Sequence, residues 1–171
     1  MADILHHYGI SLSWTGNLGQ GTPSYREYAR EYDISGEHGK FLKGSADPKF
    51  LGKKECWNPE ELLIASLSAC HQLWYLHLCA EAGVSVLQYR DQAKGIMSEK
   101  EGRFVEMTLQ PHSVISKESD ESLAISLHRL AHEKCYIANS TNIKIKINAR
   151  WCRHEKFRAI IMPHHSIIRV D

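Results

Sequence analysis

The stretch NPEELLIASLSACHQLWYLHLCAEAG, residues 58–83, constrains the fold more than any other part of the chain. Asn58 is a strong N-cap, Pro59 suits the first helical position, and Glu60 and Glu61 lie where the helix dipole is positive. Glu61 at the third helical position can close a capping box with Asn58. Gly83 supplies a left-handed stop. The pattern predicts a helix from Pro59 to about Ala82. Its apolar residues, among them Leu62, Leu63, Ile64, Leu67, Leu73, Leu76 and Leu78, spread around nearly the whole circumference. That distribution predicts a central helix buried on all sides. His71, Gln72 and His77 interrupt the run, so it reads as a core helix and not a membrane span. One small sheet cannot cover such a helix, and the expectation is a homodimer that buries it between two subunits.

The other elements are shorter. Residues 6–15 (HHYGISLSWT) and 25–34 alternate and predict two strands. Residues 35–57 predict a long loop with a short strand near 40–42. Residues 84–97 and 103–116 predict two long strands joined by a polar turn at 98–102. Leu123, Leu127, Leu130 and Ala131 fall at helical spacing and predict a second helix over about 120–134. Ile143, Ile145 and Ile147 alternate with lysines and predict a half-exposed last strand, whose lysines guard an edge. The order predicts an α+β fold with an antiparallel sheet around one central helix. The domain is expected to span 1–148, followed by a basic tail over 149–171 with no clean period.

Composition narrows the function. A net charge of +1 gives no field that would favour nucleic acid or a membrane surface. The N-terminus has no basic region followed by an apolar run, so a cytoplasmic protein is expected. Five cysteines, at 56, 70, 79, 135 and 152, form no CxxC motif and no disulfide framework. In a reducing compartment they are mostly free, and any disulfide is transient and catalytic.

Cys70 lies in the most apolar part of the helix. It either packs as a small hydrophobe or serves as a redox nucleophile. Nucleophilic use requires the thiolate, which burial disfavours, so a buried cation is needed. Glu60 lies ten residues earlier on about the same side of the helix, roughly 15 Å along its axis. It can hold an arginine from another segment, and Arg26 and Arg30 in YREYAREY are the candidates. A sulfenic acid formed on one thiol must be captured by another before over-oxidation, and Cys135 follows the second helix. His128, His132 and Cys135 also share a helical face and offer a weak zinc-ligand pattern that would need a fourth group.

NPEELLIASLSACHQLWYLHLCAEAGV resembles the signature helix of the OsmC/Ohr family of organic hydroperoxide reductases. AHEKCYIANS resembles that family's second cysteine motif, and the two cysteines stand 65 positions apart, as the family pattern has them. The resemblance covers about residues 8–148. It implies an OsmC-like fold, an intertwined α+β homodimer with two active sites at the subunit interface. It implies that Cys70 is the peroxidatic thiol, Cys135 the resolving thiol, and Glu60 the carboxylate that holds a catalytic arginine. Arg30 is assigned as that arginine, with Arg26 as the alternative. His71 and Trp74 are assigned to the substrate site. The implied reaction reduces an alkyl or lipid hydroperoxide to an alcohol, forms a Cys70–Cys135 disulfide, and is reset by a dithiol such as a lipoyl protein. No metal and no bound cofactor is expected. The competing expectation is a non-enzymatic binder of hydrophobic ligands, or a thiol redox sensor, on the same fold.

Overall fold

The computed structural model describes residues 4–153. They belong to two compact units, one up to Leu63 and one from Ile64 onward.

The first unit carries a three-stranded antiparallel sheet in the order β1-β2-β3, with β1 Ile10–Trp14, β2 Tyr32–Gly36 and β3 Phe41–Gly44. Its register sets Leu12 opposite Ile34 and Ile34 opposite Leu42, so one face is apolar; Ser11, Ser13, Asp33 and Lys43 alternate onto the other. Gly44 is required where it stands, because a Cβ there would lie 2.2 Å from the Tyr32 ring. The strand expected over 25–34 begins only at Tyr32. Residues 25–31 are curled instead, since Trp14 Nε1 donates to the Ala29 carbonyl at 2.9 Å and the Arg30 guanidinium donates to the carbonyls of Tyr25 and Tyr28. The alternation of Tyr, Arg and Glu thus serves a local clasp and not a sheet.

Helix α1 runs Pro59–Glu81, as its caps predict. Glu61 N donates to Asn58 Oδ1 at 2.8 Å and Asn58 N donates to Glu61 Oε2 at 3.3 Å, which completes the capping box. Gly83 stops the helix at φ +74°. The burial differs from the expectation. Leu67, His71, Tyr75, Leu78 and Cys79 are buried, all on one side, while Leu73 is 69% exposed. Within one chain the helix is therefore covered on a single face.

The second unit is built on a bent hairpin. Each of the two expected long strands is broken in two, giving β4 Val86–Asp91, β5 Lys94–Ser98, β6 Arg103–Leu109 and β7 Pro111–Ile115. The break has a physical cause at Asp91. One carboxylate oxygen accepts from Gln110 N at 2.7 Å and the other from the Ser68 hydroxyl of α1 at 2.6 Å. Pro111, opposite Asp91, has no N–H to continue a ladder. The halves form two sheets, β4-β7-β9 and β5-β6-β8. Strands β8 (Lys144–Ile147) and β9 (Arg150–Arg153) join parallel to β6 and β7, so these two sheets combine the expected antiparallel pairing with one parallel strand each. Lys144 and Lys146 of β8 both reach Glu106 on β6, at 3.9 and 2.7 Å. Strand β9 falls in the segment expected to be a basic tail and pairs with the domain; the rest of that segment lies outside the described residues.

Helix α2, Glu121–Lys134, is capped by Asp120, whose side chain accepts from Leu123 N at 2.9 Å. Ala124, Leu127 and Ala131 close a core with Tyr75, Leu78, Cys79, Val84 and Ile115. That packing makes α1 a core helix, although its length and apolarity alone would suffice to cross a membrane. A short helix α3, Tyr136–Asn139, follows at once and was not expected.

Asp91→Ala removes an acceptor shared by α1 and the hairpin bend. It is expected to lower unfolding stability by about 2–4 kcal/mol in urea titrations, two charge-assisted hydrogen bonds being lost. Asp91→Asn, which keeps one acceptor oxygen, is expected to recover part of that loss.

Candidate active site

Cys70 and Cys135, far apart in the sequence, come near one another. Cys70 is half-buried on α1, and Cys135 is fully buried in the step between α2 and α3. Cys70 lies near enough to perturb the Cys135 thiol, and both are free thiols. Cys135 has an extended backbone and acts as N-cap of α3, its sulfur accepting from Ala138 N at 3.5 Å. Burial, and then the neighbouring Cys70 thiol, push the Cys135 thiol up to about 11. At neutral pH Cys135 is therefore the protonated, poorly nucleophilic partner.

His71 follows Cys70 and leaves the helix about 100° around its axis. Its ring is completely buried, and Nε2 stands 3.1 Å from Nδ1 of His128 on α2. The two rings stack at 5.4 Å, and Tyr75 stacks on His128 at 3.8 Å with 7° between the planes. The Tyr75 hydroxyl lies 3.2 Å from that of Ser113. Burial pushes His71 down to about 4 and His128 down to about 3, so both imidazoles are neutral. His71 thus differs from its expected place at the substrate: it is sealed between helices. Its partner His128 was noticed in sequence only as one of the zinc-pattern residues. Among the described residues no three His, Cys, Asp or Glu side chains are arranged to hold a metal ion.

Trp74, one helical turn beyond Cys70, is half-buried. It stands edge-on to Tyr136 at 5.7 Å and lies 5.6 Å below the Lys134 ammonium. Leu73, Trp74 and His77 line an open apolar depression of about 310 Å³.

Arg30 and Glu60 both belong to the first unit, and no ion pair joins them among the described residues. Arg30 is held by the carbonyls of Tyr25 and Tyr28 and lies over both of their rings, 4.8 and 4.0 Å from the centroids. One carboxylate oxygen of Glu60, Oε2, is buried without a hydrogen-bond partner. Burial, and then the Glu60 charge, push the Tyr32 hydroxyl above its ordinary value. Arg26, the alternative arginine, is not paired with Glu60 either.

Residues 52–150 match the model of the family described as OsmC-like protein. The chain is 24% identical over 158 residues to the Bacillus subtilis protein YmaD, covering 87% of this chain and 95% of that one. An OsmC-like protein from Vibrio cholerae shares its fold at a TM-score of 0.77 and 27% identity, over 85% of this chain and 99% of that one. An organic hydroperoxide resistance protein from Elizabethkingia anophelis superimposes at a TM-score of 0.62 and 18% identity, over 90% and 100% of the two chains.

The neutral histidine pair makes stability depend on pH. Unfolded histidine takes up its proton near pH 6.5, whereas His71 and His128 in the fold wait until about 4 and 3. Between those limits the unfolded chain binds more protons, so stability falls as pH falls below 6.5 and levels off only once the folded pair is itself protonated. Each histidine is expected to contribute a slope of up to about 1.4 kcal/mol per pH unit. Thermal melts from pH 8 to 4 check this, with a shallower profile expected for H71L/H128L.

Proposed function

The chain belongs to the OsmC-like protein family, and from that premise we propose that it is a thiol peroxidase acting on organic hydroperoxides. The observation that carries the reading is the neighbouring pair of free thiols, Cys70 and Cys135. The Cys70 thiolate attacks the terminal peroxide oxygen and the O–O bond breaks. The alkoxide takes a proton and leaves as alcohol, and Cys70 becomes a sulfenic acid. Cys135 then attacks that sulfur, the S–S bond forms, and the hydroxyl departs with the Cys135 proton as water. A dithiol reductant, such as a lipoyl group on a protein, takes over the disulfide by exchange and restores both thiols. The order follows from the Cys135 proton: a thiol held near 11 does not react first at neutral pH.

The remaining residues have roles in this reading. The apolar depression at Leu73, Trp74 and His77 suits the alkyl part of the substrate, since Trp74 shares the face of α1 that carries Cys70. Glu60 is the carboxylate that receives the catalytic arginine, Arg30, once its guanidinium leaves the Tyr25 and Tyr28 carbonyls. A guanidinium keeps its proton and its fork matches a carboxylate bidentately. The protein acts as a cytoplasmic homodimer without metal or bound cofactor. The support for a second copy is apolar surface that one chain leaves open: Leu73 at 69% exposure, and Ile10 and Leu12 at 68% and 57% on the apolar face of the first sheet.

Reduced protein titrated with cumene hydroperoxide is expected to lose two thiols per chain and to yield a Cys70–Cys135 cross-linked peptide in non-reducing mass spectrometry. Cys70→Ser is expected to abolish consumption of the peroxide, and Cys135→Ser to consume one equivalent and stop at the sulfenic acid. Both thiols surviving a molar excess would sink the reading. Rapid formation of the cross-link without turnover in excess dithiol would mark a redox sensor instead.

In the same assay Glu60→Gln is expected to lower the rate roughly tenfold to a hundredfold while leaving the fold intact, as loss of orientation does. Activity equal to the parent would remove Glu60 from the mechanism.

A further inference from the structure

A row of basic residues crosses the sheet β4-β7-β9. Arg90, His112 and Arg150 are in register on adjacent strands, with His112 in the middle. Residues paired across strands share a face, and two strand spacings place the arginine Cα atoms about 9.6 Å apart. The arginines are exposed and the histidine is half-buried. The other face of the sheet is the core side: Ser113 and Tyr89, paired one step along, meet Tyr75 there. On the row's own face the next step, Gln88, Val114 and Cys152, has no charge, and Val114 and Cys152 are buried. The row therefore lies at the edge of a covered surface.

Like charges on one face of a sheet repel, and a neighbouring carboxylate ordinarily relieves them. None does so here. Asp91, next along β4, alternates to the opposite face, where both of its oxygens are engaged by Ser68 and Gln110. Among the described residues neither Arg90 nor Arg150 has an ion-pair partner. Their charges act on the ring between them. Burial, then Arg90, then Arg150 hold His112 below its ordinary value.

We propose that Arg90, His112 and Arg150 form a binding site for a phosphate group, carried by a free phosphate ion or by a phosphorylated small molecule. Two guanidinium forks and one ring N–H on one face of the sheet offer the donors that a tetrahedral oxyanion, whose oxygens accept several bonds at once, requires. A dianion offsets both arginines, which a single carboxylate does not.

The test follows the His112 imidazole resonance of the full chain by NMR, assigned with H112Q. It is titrated with pH in chloride, in inorganic phosphate and in glycerol 3-phosphate at matched ionic strength. Phosphate is expected to raise the His112 midpoint, because an anion beside the ring favours its protonated form. In R90Q/R150Q that rise should vanish, while the midpoint in chloride should climb because the two repelling cations are gone. A rise with both phosphates assigns a phosphorylated small molecule as ligand, and a rise with inorganic phosphate alone assigns the free ion. An unchanged midpoint in phosphate overturns the proposal. So does a rise of equal size in R90Q/R150Q, which means an adventitious ion only. So does a chloride midpoint that the double substitution does not move, since the arginines then do not face the ring.

Discussion

The bond between His71 and His128 sets the register of the two long helices of the second unit. His71 adjoins Cys70 on α1, and His128 lies two turns before Cys135 on α2. Nδ1 of His71 and Nε2 of His128 are already buried without a hydrogen-bond partner, and a slide of the helices would strand the other two ring nitrogens as well. The meeting of the two thiols depends on this fixed register. A pair of neutral rings suits the task, because one donates and the other accepts with no charge buried. A charged pair at the same place would need further partners that the apolar core of Leu78, Leu127 and Ala131 does not provide.

The two sulfurs are differentiated by their surroundings and not by their chemistry. Cys135 is fully buried and caps a short helix with its sulfur, while Cys70 is only half-buried and stands one turn from an apolar surface depression. Burial favours the protonated state of a thiol, and the deeper sulfur, Cys135, keeps its proton for that reason.

What sequence reasoning could reach followed from how local each signal is. The helix 59–81 was legible because its caps, Asn58, Glu61 and Gly83, act within one turn of where they stand. The bend in the long hairpin was not, because Asp91 produces it through Ser68 and Gln110, 23 and 19 positions away. The segment before Tyr32 misled for a related reason: its alternation is that of a strand, but Arg30 satisfies the backbone that a strand would have paired. Strand β9 is four residues with no pattern of its own and exists because β7 offers an edge. The encounter of Cys70 with Cys135 could not be had from spacing, since no periodicity links positions on two helices. It came only from resemblance. His71 carried a misleading signal, as its place beside Cys70 suggested the substrate and its actual partner lies 57 positions further on.

The parallel attachment of β8 and β9 has a kinetic side. Each returns to a strand of the hairpin only after the whole of α2 and α3 has been laid down, so the loops that must close are long. Closing long loops costs entropy before any ladder forms, and non-local pairing of this kind slows folding. Until those strands dock, β6 and β7 each show a bare edge, and such edges recruit other chains. The interval before the last strands arrive is therefore when this fold is most exposed to aggregation, and a chain released early would leave both edges open for good.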